Sequence, residues 1–243
     1  MYEFHRDPGA DGVGVVFTRA RTVGGAPLSL GGAHGAGGRA PGIALIEADL
    51  GVPLAVVRQV HGADVAVLED TDPSGLAERR ADALVTRRDG VGLAVRVADC
   101  VPVLLADPRA RVIGAAHAGR VGLAAGVLQS TVNAMRGKGA SGIVAWIGPH
   151  ICGRCYEVPE ALADEFEVLV PGTRSNTSWG TPSVDLGAGV KAVLGGLGVR
   201  FTDVARCTLE DPDLHSHRRD AAASGRQAGI IWLSGACRTE AAR

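Results

Sequence analysis

ADCVPVLLADPRARVIGAAHAG, Ala98–Gly119, is the stretch on which the reading of this chain turns. Two apolar runs, Val101–Ala106 and Val112–Ala116, flank Asp107-Pro108-Arg109-Ala110, which carries turn chemistry. Asp99-Cys100 leads into the first run, and the second runs out into His117-Ala118-Gly119. A four-residue loop at 107–110 predicts antiparallel pairing with partner numbers summing to 217, so that Cys100 faces His117. Opposed residues of an antiparallel pair have Cβ atoms about 4.5–5.5 Å apart, close enough for both to bind one ion.

A third ligand type stands upstream. His61, in Gln59-Val60-His61-Gly62, ends the apolar run Leu54–Val60, and the run Val65–Leu68 follows. These two runs are expected to form a hairpin with His61-Gly62-Ala63-Asp64 at its tip. Two imidazoles and one thiolate make a nitrogen/sulfur set suited to zinc, and three protein ligands leave a position open, as in catalytic zinc sites. His61, Cys100 and His117 are therefore the candidate metal ligands. Asp99 and Gln59, their neighbours in sequence, are candidates with Cys100 for the catalytic group, by orienting ligands or moving a proton. After His117, the strand–Gly119–helix junction offers backbone N–H groups to an anion such as phosphate.

Outward from this stretch, strands are expected at Val13–Thr18, Ala83–Thr86, Gly92–Ala98, Ile143–Ile147 and Ile230–Leu233. Helices are expected at Ile43–Leu50 (stopped by Gly51), Leu123–Met135, Glu160–Leu169 and Val184–Leu194. Interleaved strands and helices point to an α/β or α+β class. Residues 1–243 read as one domain, with an irregular Gly-rich segment over about 19–42.

Composition bounds the partners. Lys and Arg number 25 against 26 Asp and Glu, a formal charge of -1, which gives no electrostatic case for nucleic acid or an anionic membrane. The apolar runs fall well short of the roughly 20 residues that span a bilayer. The start, Met1-Tyr2-Glu3-Phe4-His5-Arg6-Asp7, has no apolar signal core, so a cytoplasmic location is expected. Five scattered cysteines do not form a secreted disulfide framework. Cys152-Gly153-Arg154-Cys155 is a C-x-x-C pair without a second pair at zinc-ribbon spacing, and reads as two cysteines in a loop.

Several linked segments resemble one family. They are QVHGADV from Gln59, ADALVT at Ala81–Thr86, ADCVPVLLAD at Ala98–Asp107, AHAG at Ala116–Gly119, IGPHICGRCYEV at Ile147–Val158 and HSHRRDAAASGR at His215–Arg226. In this order they resemble the laccase-domain, or polyphenol oxidase-like, family of bacterial purine nucleoside phosphorylases. The resemblance implies a layered α/β/α domain around a mixed sheet, and a zinc held by His61, Cys100 and His117. It implies phosphorolysis of adenosine, inosine, guanosine and methylthioadenosine, with deamination of adenosine, so that the partners are purine nucleosides and phosphate. Gly119, Arg120, Arg218, Arg219 and Arg226 are then candidates for the phosphate or substrate seat. The chain departs from the family pattern at Arg120-Val121, where Trp-Arg is usual, and at His215-Ser216-His217, where Phe-Ser-Tyr is usual.

Other readings compete. The same zinc or Cys100 would serve a hydrolase acting on peptidoglycan precursors. A non-catalytic zinc module would result if Cys152 or Cys155 closed the coordination shell. A multicopper oxidase needs a mononuclear copper and a trinuclear cluster, more imidazoles than the seven histidines supply, although copper would enter the same ligand set more tightly than zinc. No His has Glu two residues on, which excludes the cytidine-deaminase type of zinc site.

Overall fold

The computed structural model describes residues 1–31, 40–70, 72–204 and 206–235, so part of the expected Gly-rich segment, 32–39, lies outside the described residues. Two mixed sheets dominate. The first has the order β1-β2-β13-β6-β3, from Tyr2–Arg6, Val13–Thr18, Gln227–Leu233, Gly92–Val97 and Leu54–Ala55. The second runs β12-β9-β7-β8-β5-β4, from Arg200–Asp203, Val144–Ile147, Val101–Asp107, Val112–Ala118, Ala83–Thr86 and Val65–Leu68. A ribbon of β10 (Arg174–Asn176) and β11 (Pro182–Val184) stands apart.

Alternation along the strands explains the stacking. On β8, Ile113 and Ala115 join Leu104 and Ala106 of β7, Leu93 and Val95 of β6, and Ile231 and Leu233 of β13 in one buried cluster between the sheets. The intervening residues, Val112, Ala116 and Ala118 of β8 and Val103 and Leu105 of β7, pack the opposite way. There they meet α2 (Arg120–Ala124), α3 (Val127–Gly137), α4 (Glu160–Leu169) and α5 (Leu186–Gly196) through Leu123, Val132, Phe166 and Val190. The outer face of the first sheet is covered by α1 (Pro41–Leu50), where Ile43 and Ile46 pack on Val16, Ala94 and Ile230. The order of layers is helix, sheet, sheet, helices. The α/β class expected from the sequence is found, with two stacked sheets where a single mixed sheet was expected.

Three local expectations are corrected. Leu54–Val60 and Val65–Leu68 form no hairpin: β3 pairs parallel to β6 in the first sheet, and β4 pairs parallel to β5 in the second. The chain between them passes from one sheet to the other, and His61 at φ 60 makes the bend. The β7–β8 register sums to 219, with Pro102 opposite His117 and Val101 opposite Ala118. Asp107 stays in the strand opposite Val112, and its carboxylate accepts the N–H groups of Arg109 and Ala110, which moves the four-residue loop on by one to 108–111. The helix expected at Leu123–Met135 is two helices, because Gly126 between α2 and α3 is left-handed at φ 86. By contrast, Val13–Thr18, Ala83–Thr86 and Glu160–Leu169 keep the expected bounds.

Candidate metal centre

His61, Cys100 and His117 come together: one ligand atom from each lies within 4.8 Å of the others. The shifted register still permits this because Cys100 moves by two positions, to stand opposite Gly119, and a shift of two keeps the same face. Cys100 thus reaches His117 diagonally. Cys100 sits on the Ala98–Cys100 crossing from β6 in the first sheet to β7 in the second, just as His61 sits on the crossing from β3 to β4. Asp99 holds the second crossing in a left-handed bend at φ 86. Among the described residues, two of the four non-glycine residues with positive φ are therefore at this site, where strain is commonly held by surrounding contacts.

Asp82 supplies that hold, and the sequence reading did not assign it a role. Fully buried, it accepts the N–H groups of Val60 (3.1 Å), His61 (2.9 Å) and Gly62 (2.7 Å). It also accepts from His117 Nδ1 at 2.8 Å. A carboxylate only accepts, so Nδ1 carries the proton and Nε2 is left as the donor atom for a metal. One side chain thereby sets the bend that carries one imidazole and the tautomer of the other. The available signal was a lone acid opening the wholly apolar run Ala83–Val85.

Electrostatics prepares the ligands. Burial pushes the Cys100 thiol up, but His117 and His61 beside it outweigh this and bring it down to about 6. Burial pushes His117 down, and the opposing charge of Cys100 with the Asp82 hydrogen bond lifts it to about 9. Soft nitrogen and sulfur donors, a fixed tautomer and a thiol ready to ionise fit zinc. No fourth His, Cys, Asp or Glu joins the trio within that radius among the described residues. Cys152 and Cys155 belong to a different group, with Cys207 and Glu210, so they do not close this site.

The remaining candidates divide by what holds them. Gln59 uses both ends of its amide on the backbone of Arg96, accepting its N–H at 2.9 Å and donating to its carbonyl at 2.8 Å, which extends the strand-like pairing toward His61. Asp99 accepts from Thr208 Oγ1 at 2.6 Å and from the N–H of Arg218 at 2.6 Å. Arg219 is spent on the carbonyls of Thr208, Leu209, Asp211 and Leu214 and on Asp220. Arg218 lies over the Tyr156 ring at 5.1 Å. Burial pushes the Tyr156 phenol up, Cys100 adds to this, and Arg120 opposes it by charge and hydrogen bonding. Arg226 is half-buried, and burial lowers its pKa against the pull of Cys100 and Asp99. Arg96 is lowered by burial and by the charge of Arg226. Arg120 and Arg218 thus act on Tyr156 and Arg226 is drawn by Cys100 and Asp99, while Arg96, which was not expected, is coupled to Arg226. Gly119 opens α2, which is one turn long.

The sequence matches the family described as multi-copper polyphenol oxidoreductase laccase over residues 42–234, and the chain belongs to that family. It is 53% identical over 180 residues to purine nucleoside phosphorylase ORF3 of Streptomyces griseus, covering 73% of each protein. It is 50% identical over 216 residues to a purine nucleoside phosphorylase of Streptomyces coelicolor, covering 85% of this chain and 88% of the relative. Among solved structures it resembles Neisseria meningitidis protein NMB0706 with a TM-score of 0.78 at 30% identity, covering 96% and 99% of the two chains. It resembles YlmD from Geobacillus stearothermophilus equally, at 0.78 and 27% identity, over 92% and 93%. No helix among the described residues is long and apolar enough to cross a membrane.

Proposed function

We propose that this protein is a zinc-dependent purine nucleoside phosphorylase that also deaminates adenosine. The observation that carries the reading is the His61–Cys100–His117 trio, open on one side and flanked by arginines. The names of the Streptomyces relatives support it. When bound, zinc would supply Lewis acidity to a substrate or solvent oxygen.

The chain's own residues account for the rest. Phosphorolysis breaks the bond between C1′ and the purine nitrogen and forms one between C1′ and a phosphate oxygen. Arg226 and Arg96, both half-buried and acting on each other by charge, favour a dianion near them, and Arg120 and Arg218 extend that charge to Tyr156. Beside Arg218 opens a groove lined by Glu157, Val158, Pro159, Glu160, Thr181 and Pro182. Asp99 and Gln59 act as positioning residues, tying the Cys100 bend to the Thr208 hydroxyl and the Arg218 N–H, and the His61 bend to the Arg96 backbone. Copper would enter the same trio, but a trinuclear copper cluster would need histidines this chain lacks.

The test is product analysis on a panel of adenosine, inosine, guanosine and methylthioadenosine, with and without phosphate, using metal-stripped and zinc-reloaded protein. Free base and the matching sugar 1-phosphate (ribose 1-phosphate, or 5-methylthioribose 1-phosphate from methylthioadenosine) are expected only with phosphate, and inosine from adenosine in either case. Products unchanged by omitting phosphate, or full turnover after metal removal, would reject the reading.

A further inference from the structure

Away from the His-Cys-His trio, the structure brings together Cys152, Cys155, Cys207 and Glu210, with a ligand atom of each within 4.8 Å of all the others. Two turns of the same spacing build this group. In Cys152-x-x-Cys155, the Cys152 carbonyl accepts the N–H groups of Cys155 and Tyr156, each at 3.0 Å. In Cys207-x-x-Glu210, the Cys207 carbonyl accepts the N–H of Asp211 at 3.0 Å. A β-bridge between His150 and Cys207 sets the turns face to face. The 51 residues that separate Cys155 from Cys207 hide the arrangement from any reading of sequence spacing.

We propose that Cys152, Cys155, Cys207 and Glu210 form a second metal site, for a structural divalent ion of the zinc class. Zinc–sulfur bonds of about 2.3 Å in a tetrahedron put the sulfurs about 3.8 Å apart, so ligands already within 4.8 Å close on an ion with movements of about 1 Å. Cys155 Sγ and Glu210 Oε1 are already at 3.3 Å. Four protein ligands make a closed set, which marks a structural role in contrast to the open trio. Without a cation the grouping is unfavourable to charge: burial, then Glu210, then the other two thiols push the Cys155 thiol up, and burial and Cys207 push up Cys152. A divalent ion reverses that by deprotonating its thiol ligands outright. The Arg219 guanidinium, bonded to the carbonyls of Thr208, Leu209 and Asp211, places positive charge against the second turn. A disulfide would join two of the sulfurs and leave the third and Glu210 without a purpose; all four described cysteines are free.

The ion would clamp two walls of the first site. Tyr156 directly follows one ligand, and Thr208, which donates to Asp99 beside Cys100, directly follows another.

The experiment counts zinc per chain by elemental analysis after stripping, reduction and reloading. The wild type is expected to hold about two ions, Cys100→Ala and Cys207→Ser about one each, and the double variant none. Cobalt reloading of Cys100→Ala, which leaves the cluster untouched, is expected to give a strong thiolate-to-cobalt charge-transfer band. This decides the matter even if Cys207→Ser fails to fold. One ion per wild-type chain with no such band in Cys100→Ala overturns the proposal. So does an intact mass two hydrogens low in protein purified without reductant and resistant to zinc loading.

Discussion

At the scale of single residues, Gly119 shows how little room the site has. It stands opposite Cys100, and a Cβ there would lie 2.9 Å from His61 Cδ2 and 3.0 Å from Cys100 Sγ. Its φ of -79 is open to any residue, so the demand is for space and not for backbone freedom. Gly119→Ala is therefore expected to keep the fold and weaken zinc binding by about 10–100-fold, the range found when the surroundings of metal ligands are disturbed. Competition with a chromophoric chelator reads this, and unchanged affinity would show that the trio is not the binding set. The three candidate ligands, which the structure brings together, were legible in the sequence because each flanks an apolar run. Asp82 was not, because its value lies in receiving three N–H groups from a bend that the sequence reading took for a hairpin tip. Arg96 was equally hidden, since its partner Arg226 lies 130 residues on.

At the scale of elements, the β7–β8 hairpin depends on Asp107, which is buried and accepts from Arg109, Ala110, Ser141 and Gly142. Burial opposes its ionisation, yet these four donors outweigh burial and hold the carboxyl below its usual range. A carboxyl depressed in the folded state adds stability above the unfolded value of about 3.9, and that stability is lost as pH falls through the folded value. Asp107→Asn is expected to cost about 1–3 kcal/mol at pH 7, with the gap to wild type narrowing in acid. Urea titrations at both ends of that range check it, and a gap independent of pH would contradict the assignment. The same residue explains why strand positions were readable but register was not. Apolar alternation located both strands, whereas the turn was decided by which backbone groups one carboxylate collects. Likewise, period alone ran α2 into α3, because a left-handed Gly126 leaves the apolar pattern almost intact.

At the scale of the whole molecule, the space between the sheets holds one of the main buried apolar clusters. Phe17 is among the largest fully buried side chains and packs there, with Phe4 at a ring separation of 6.3 Å. Phe17→Ala is expected to cost about 3–5 kcal/mol, seen as a lower urea midpoint at unchanged slope. A loss under 1 kcal/mol would mean that the sheets do not rely on that contact. Sheet stacking was beyond the sequence reading because strands buried on both faces look alike whether a helix or a second sheet covers them.

Two of the three candidate ligands occupy the crossings by which the chain leaves one sheet for the other. An ion seated between them would therefore rivet the sandwich as well as serve its chemistry. By linkage, its binding energy would add directly to resistance against unfolding. Scarcity of the cation would then loosen the architecture and silence the reaction in a single event.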